Sequence, residues 1–137
     1  MTPETAMSMQ GKKVLIVEDD FFVSDIYRTK FSHEGCEVFS ANDGAQALNL
    51  LKAGNLVPDV ILLDLMMPNM DGREFLEAMK TVPEVSSVPV LVLSNLSQKE
   101  DVEESIALGA RDYIVKSRMT PTEVFDRVKL LLSEGRV

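Results

Sequence analysis

A single acidic residue interrupts the most aliphatic stretch of this sequence. In "DVILLDLMMPNMDG", residues 59–72, Asp64 follows the run Val60 to Leu63 and precedes Leu65. A carboxylate in apolar surroundings costs free energy unless it is paired, protonated or bound to a cation. We therefore interpret Asp64 as part of a functional site, in preference to a simple loop cap.

Other polar side chains also end aliphatic runs. The runs "KKVLIVEDD", "VPVLVLS" and "DYIVK" end in Glu18 to Asp20, in Ser94 and in Lys116. In parallel α/β sheets, ligands bind beyond the carboxyl ends of the strands. If these runs are parallel strands, their polar ends meet Asp64 at one edge of the sheet.

The predicted cluster carries excess negative charge. Glu18, Asp19 and Asp64 together with the Lys116 ammonium have a net charge of −2. Two carboxylates about 5 Å apart repel by roughly 3 kcal/mol at an effective dielectric near 20, so the cluster requires a cation or raised pKa values. Carboxylate oxygens without histidine or thiolate favour Mg²⁺, or Mn²⁺, over zinc.

The two remaining polar groups suit a phosphoryl group. The Lys116 ammonium and the Ser94 hydroxyl can both donate hydrogen bonds to phosphoryl oxygens. Aspartate is a covalent nucleophile in some phosphoryl transfers. The cluster thus indicates an acidic metal pocket with a place for a phosphoryl group beside Asp64.

The elements that must position these residues alternate between strand and helix. Strand-length apolar runs are "KVLIV", "CEVFSA", "VILLDL", "VPVLVLS" and "DYIVK". Helical spacing with a glycine stop predicts helices over residues 21–35 and 43–54. Capping patterns predict three further helix starts, at "DGRE" (71–74), "SQKE" (97–100) and "TPTE" (120–123). Continuous apolar strands are typical of a sheet covered on both faces, so we predict a doubly wound α/β fold with five parallel strands and five helices.

Composition excludes several classes of function. The chain has 137 residues, a net charge of −8 and a single cysteine, which favours one domain and opposes binding to nucleic acid or anionic membranes. No secretory signal and no membrane-length apolar run is visible, so we expect a cytoplasmic protein. We predict a loose tail at residues 1–12, one domain at residues 13–134, and an end at residues 135–137 without an output domain.

The four motifs "VEDD", "LLDLMMPNMDG", "LS" and "DYIVK", in this order and spacing, resemble the receiver domains of two-component response regulators. The resemblance covers residues 13–133 and implies the strand order 2-1-3-4-5. It implies that Asp64 is the phosphoacceptor, that Asp19 and Asp64 bind Mg²⁺ directly, and that Glu18 binds it through water. It further implies that the Met66 backbone carbonyl contacts the metal, that Ser94 and Lys116 contact the phosphoryl oxygens, and that Tyr113 is an aromatic switch.

The same resemblance implies a signalling switch. A histidine kinase or phosphotransfer protein would phosphorylate Asp64, and the face formed by strand 4, helix 4 and strand 5 would change to control a downstream protein. The chain would be a stand-alone, chemotaxis-regulator-like protein or a fragment of a longer regulator, and either a monomer or a phosphorylation-dependent dimer. It would catalyse only its own phosphorylation and slow dephosphorylation.

The sequence departs from the family pattern at two positions. Ser117 follows Lys116 where a proline is usual, and Asn95 follows Ser94 where a small residue is common. Because a non-proline cis bond is costly, we expect a trans bond before Ser117. Met66 and Leu96 are both apolar and unsuited to aligning a hydrolytic water, which predicts a long-lived phosphoaspartate.

Three alternative functions fit the sequence less well. An aspartate-nucleophile phosphatase of the haloacid dehalogenase type needs a second acid two residues after the nucleophile, where this chain has Met66. A nucleotide-binding module would need a glycine-rich phosphate loop, and neither usual pattern occurs. A receiver-like adaptor that is never phosphorylated would not need the acidic pocket.

Overall fold

The computed structural model describes residues 8–134 and contains one five-stranded parallel sheet in the order β2-β1-β3-β4-β5. The strands are β1 (Lys13–Val17), β2 (Glu37–Ala41), β3 (Val60–Leu63), β4 (Val90–Ser94) and β5 (Asp112–Val115). The helices are α1 (Phe21–His33), α2 (Gly44–Lys52), α3 (Gly72–Met79), α4 (Lys99–Ala107) and α5 (Pro121–Glu134). The predicted fold class and strand order are confirmed.

Helices cover both faces of the sheet. One face packs Leu15, Val17, Ile61 and Leu63 against α2 and α3, including Leu51 and Phe75. The other packs Val14, Ile16, Val60 and Leu62 against α1 and α5, including Phe31 and Val128. Because neighbouring side chains of a strand point to opposite faces, a central strand buried on both sides must be apolar throughout. This explains the continuous aliphatic runs that precede Glu18 and Asp64.

Two of the predicted helix starts are confirmed and one is wrong. Asp71 and Glu74 cap α3 reciprocally, and the Thr120 hydroxyl accepts from the Glu123 N–H at 3.1 Å at the start of α5. At α4, however, the Asp101 carboxylate accepts from the Gln98 N–H at 3.2 Å, one residue beyond the predicted Ser97–Glu100 pair. An acid at 101 competes with Glu100 for the same role, and the helix begins at Lys99.

β1 has the predicted bounds, and the other four strands are slightly shorter than predicted. β3 ends at Leu63, so that Asp64 begins the following loop, and β4 begins only after Pro89, which has no N–H for the sheet. β5 ends at Val115, and Lys116 opens a single 3-10 turn, Lys116–Arg118. These limits place the polar residues on the rim of the sheet.

The start of the described chain packs against the domain. The Met9 side chain is only 4% exposed, and the Gly11 N–H donates to the Gly35 carbonyl at 2.8 Å. The predicted loose tail is therefore too long, because residues 8–12 fold back beside α1. Residues 1–7 and 135–137, on which the rest of the tail and end predictions fall, lie outside the described residues. Among residues 8–134, no helix combines the length and hydrophobicity that a membrane span requires.

Candidate functional site

Three carboxylates meet at the carboxyl edge of the sheet. Oxygens of Glu18, Asp19 and Asp64 lie within 4.8 Å of one another. The arrangement follows from strand register, since Val17 and Leu63 are paired neighbours and the next residues leave the sheet together. Glu18 and Asp64 are buried, whereas Asp19 is exposed. The third acid of the motif is not part of this cluster, because the Asp20 carboxylate caps α1 by accepting from the Phe22 N–H at 2.9 Å.

The Lys116 ammonium reaches this cluster from the far side of two strands. Its Nζ lies 2.5 Å from Glu18 Oε1 and 3.5 Å from Asp64 Oδ2. Its side chain is largely buried, with 13% exposed. The contact joins the ends of β1, β3 and β5, and it brings together the cation and acids that the sequence predicted for one site.

Burial controls the charge of this cluster. Burial is the largest influence on Glu18 and, together with the nearby Asp64 charge, raises the pKa of Glu18 to about 7 against the opposing effect of Lys116. For Lys116, burial alone would lower the pKa, but the hydrogen bond to Glu18 and the Asp64 charge outweigh it and raise the pKa. Lys116 therefore stays protonated, and Glu18 is the group that titrates near neutrality.

The loop after Asp64 is fixed by close backbone packing. The Met66 N–H points to Asp64 Oδ1 at 3.4 Å, and the Gly72 N–H donates to the Leu65 carbonyl at 3.0 Å. A Cβ at Gly72 would lie 2.5 Å from the Asp64 carbonyl oxygen, so only glycine fits there. Asn69, in the left-handed region at φ 65°, donates to the Asp43 carboxylate at 2.7 Å and ties the loop to α2.

The sequence alone does not indicate the roles of Gly72 and Asn69 in this loop. The "DG" pair by itself predicts only a helix start, and nothing in the spacing of Asn69 and Asp43 indicates their contact.

Ser94 and Tyr113 both contact the loop between β4 and α4. The Ser94 hydroxyl is buried and accepts from the Leu96 N–H at 3.1 Å, and the Tyr113 hydroxyl donates to the Leu96 carbonyl at 2.7 Å. Burial raises the pKa of Tyr113, which keeps this hydroxyl protonated and able to donate. Leu96 thus lies between the two residues predicted to act as a switch.

The two departures from the family pattern contact each other. The Ser117 N–H donates to the Asn95 side-chain oxygen at 3.1 Å. Described peptide bonds are all trans, as expected for the bond before Ser117. The sequence identified both positions separately and did not predict their hydrogen bond.

An open groove of about 530 Å³ lies beside Asp19 and the loop that follows Asp64. Its lining includes Asp19, Met66, Met67, Arg73 and Leu96. The Met66 side chain, 63% exposed, stands where a phosphatase of the haloacid dehalogenase type would carry its second acid. The groove leaves room for a phosphoryl group or a phosphodonor next to Asp64.

The donor set fits a hard divalent cation. The cluster offers three carboxylates, two of them buried, against one ammonium. The single histidine and the single cysteine, His33 and Cys36, lie beyond the opposite end of the sheet, before β2. Oxygen ligands of this kind fit Mg²⁺ or Mn²⁺ and not zinc.

Comparisons with known proteins identify the family. The model for the response regulator receiver domain matches residues 14–129. Sporulation initiation phosphotransferase F of Bacillus subtilis is 33% identical over 124 residues, which cover 90% of this chain and 96% of that protein. A probable transcriptional regulator, ycf27, of Porphyridium aerugineum is 36% identical over 124 residues, covering 90% of this chain and 49% of that protein. The chain thus spans about half the length of the ycf27 relatives that it matches.

A solved structure agrees. The CheX–CheY–BeF3–Mg²⁺ complex from Borrelia burgdorferi contains a chain that aligns with a TM-score of 0.81 at 28% identity, covering 89% of this chain and 90% of that one. The chain therefore belongs to the receiver domains of response regulators, which act in two-component signalling. Receiver domains bind Mg²⁺ in an acidic pocket and interact with histidine kinases and downstream targets.

Proposed function

We propose that this receiver domain is switched by phosphorylation of Asp64, with a phosphohistidine of a histidine kinase or phosphotransfer protein as the donor. The observation that carries the proposal is the position of Asp64, whose carboxylate lies with those of Glu18 and Asp19 within 4.8 Å and 3.5 Å from the Lys116 ammonium. A nucleophilic carboxylate, a cation and a metal-binding acid pair are the parts that phosphoryl transfer requires.

The transfer needs little further chemistry. An oxygen of Asp64 attacks phosphorus, a P–O bond forms, and the P–N bond breaks with its electron pair passing to the imidazole. Lys116 offsets the negative charge on the phosphoryl oxygens in a largely buried setting, where electrostatic stabilisation is strong. The Ser94 hydroxyl accepts from Leu96 and retains its own proton for donation to a phosphoryl oxygen. A Mg²⁺ ion held by Asp19, Asp64, the Met66 carbonyl and, through water, Glu18 would supply further positive charge there.

The signal then leaves the site through the loop between β4 and α4. Donation from Ser94 to the phosphoryl group draws this loop toward Asp64 and displaces Leu96, which removes the acceptor of the Tyr113 hydroxyl. A charge-assisted hydrogen bond contributes about 1.5 to 3 kcal/mol, enough for a tenfold or larger shift between two conformations. The changed face of β4, α4 and β5 controls a downstream protein, with the domain acting as a monomer or as a phosphorylation-dependent dimer.

Phosphorylation can be tested with a small donor. Incubation with acetyl phosphate and Mg²⁺ should add one phosphoryl group to the parent protein, measured by intact mass, and none to Asp64→Asn. Asp126→Asn, which changes an exposed carboxylate on α5, is the matched control and should be modified like the parent. The absence of an adduct on the folded parent protein, or an equal adduct on Asp64→Asn, would refute the proposal.

The phosphoaspartate should be long-lived. Met66 and Leu96 line the groove beside Asp19 and offer no polar group to align an attacking water. After removal of the donor, the adduct should decay over minutes or longer at neutral pH with Mg²⁺, and Leu96→Asn should shorten its lifetime. Decay within seconds in the parent protein would contradict the role assigned to these two side chains.

A further inference from the structure

Ser94 and Lys116 are connected through the residues that follow them. Ser94 is paired with Val115 in the β4–β5 register, so that the chain leaves both strands at the same level. Immediately beyond, the Ser117 N–H donates to the Asn95 side-chain oxygen at 3.1 Å. A single side chain thus joins the two loops that carry the predicted phosphoryl contacts.

This hydrogen bond requires both departures from the family pattern. A small side chain at position 95 has no acceptor that could reach the neighbouring loop, and a proline at position 117 has no N–H to donate. With Asn95 and Ser117 the chain has both partners. The backbone N–H is the donor, so the Ser117 hydroxyl is not needed for the contact.

Met119 packs against the core, but the turn between Lys116 and Met119 is closed only by a weak backbone contact. In the turn Lys116–Arg118, the Met119 N–H points to the Lys116 carbonyl at 3.4 Å, which is long for a hydrogen bond. Lysine has a flexible four-carbon stem, so the position of its ammonium depends on where its backbone is fixed. The Lys116 side chain must reach past β4 to Asp64, and past both β4 and β3 to Glu18.

We propose that Asn95 is a positioning residue for Lys116: its side chain fixes the backbone after Lys116 through the Ser117 N–H and so holds the ammonium at the phosphoacceptor. This inference rests on the proposed phosphorylation of Asp64.

Four variants test the hydrogen bond as a unit. Asn95→Ala removes the acceptor, Ser117→Pro removes the donor, and the double variant removes both. Ser117→Ala keeps the N–H and is the matched control. With acetyl phosphate and Mg²⁺, the rate of phosphorylation should fall about three- to tenfold in Asn95→Ala and in Ser117→Pro, the effect of losing one hydrogen bond. The double variant should be no slower than the slower single variant, and Ser117→Ala should match the parent.

Two spectroscopic measurements separate positioning from a general effect on folding. In Asn95→Ala, the Ser117 amide should lose hydrogen-exchange protection and shift in the ¹⁵N–¹H spectrum, and the Lys116 side-chain NH₃⁺ resonance should broaden or move. Amides of α1 to α3 should be unchanged. Asn95→Asp, which keeps an acceptor oxygen, should restore protection of the Ser117 amide.

The outcomes distinguish this inference from the proposed function. If the parent protein is not phosphorylated, the proposed function fails, whatever the Ser117 amide shows. If the parent is phosphorylated and Asn95→Ala reacts at the same rate, or if the two single effects multiply in the double variant, the positioning role is wrong. A slower Asn95→Ala with an undisturbed Lys116 resonance would also overturn it, because the effect would then not pass through Lys116.

Discussion

Protonation of Glu18 affects this domain near neutral pH. Its carboxyl is 5% exposed, and burial raises its pKa from 4.5 to about 7. Between these two values, the folded protein retains a proton that the unfolded chain has released. In the absence of metal, this group therefore stabilises the fold fully below pH 4.5, and the contribution is lost as the pH rises through 7.

Urea unfolding in EDTA between pH 5 and 8 should reveal this loss. The free energy of unfolding should fall by up to about 3 kcal/mol across the range in the parent protein, from a pKa difference of this size. Glu18→Gln removes the titrating group and should remove most of the slope. Equal slopes in the two proteins would show that Glu18 does not titrate near 7.

The sequence was sufficient to predict which residues at the ends of the strands form the site. Glu18, Asp19, Asp64 and Lys116 each follow an aliphatic run, and a parallel sheet places such residues at one edge. The contacts that these side chains make with one another could not be predicted from the sequence in the same way. That Lys116 contacts Glu18 at 2.5 Å and Asp64 at 3.5 Å depends on the path of its side chain past two strands. Their functional roles remain predictions that the phosphorylation experiment tests.

At the scale of elements, Gly72 fixes how α3 leaves the site. An added Cβ would lie 2.5 Å from the Asp64 carbonyl oxygen and 2.8 Å from Leu65 Cα, both backbone atoms that cannot turn aside. Gly72→Ala should therefore lower the free energy of unfolding by about 1 to 3 kcal/mol, as overpacking does. It should also slow phosphorylation of Asp64, because the loop that carries the carboxylate must shift.

Gly54→Ala is the control for this prediction. Gly54 has φ +81° and open space around its Cα, so that its substitution costs only backbone strain, about 1 kcal/mol, far from the site. It should leave the phosphorylation rate unchanged. A Gly72→Ala protein with parent-like stability and rate would mean that the loop relaxes without cost.

Strands and helices were predicted well where the spacing of apolar residues defines them. Helix starts were predicted less well where two neighbouring residues can both serve as the cap. Five apolar runs suffice for five strands, and Thr120 with Glu123 caps α5 as expected. At the start of α4, either of two successive acids, Glu100 or Asp101, could cap the helix. The Asp101 carboxylate accepts from the Gln98 N–H, and the local sequence pattern does not predict which acid does so. The Asn95–Ser117 bond joins residues 22 apart in the sequence and depends on a side-chain rotamer.

At the scale of the whole molecule, an exposed aromatic pair lies at the start of α1, at the same edge of the sheet as the acidic cluster. Phe21 and Phe22, at the start of α1, are 70% and 79% exposed and pack edge to face. They directly follow the acidic motif of β1, and exposed aromatic side chains commonly serve as contacts in protein interfaces. We expect Phe22 to help dock the protein that delivers the phosphoryl group.

Phe22→Ala should slow phosphotransfer from a cognate phosphohistidine protein about tenfold or more, in the range of a binding hot spot. Stability and the reaction with acetyl phosphate should be unchanged, because the side chain is exposed and small donors need no docking surface. Leu130→Ala, at a 54% exposed apolar residue of α5, is the control and should transfer like the parent. An unchanged rate from the protein donor would remove Phe22 from the docking surface.

The contact between Glu18 and Lys116 spans 98 residues and joins the first strand to the end of the last. This contact has a consequence for the order in which the site forms during synthesis of the chain. During synthesis, Asp64 and the β1 acids emerge well before β5, and until β5 has docked they have no ammonium beside them. A nascent or truncated chain can therefore carry every acidic residue of the pocket and still lack the ammonium on which the proposed phosphorylation depends. Under the proposed function, the site is complete only when β5 has joined the sheet.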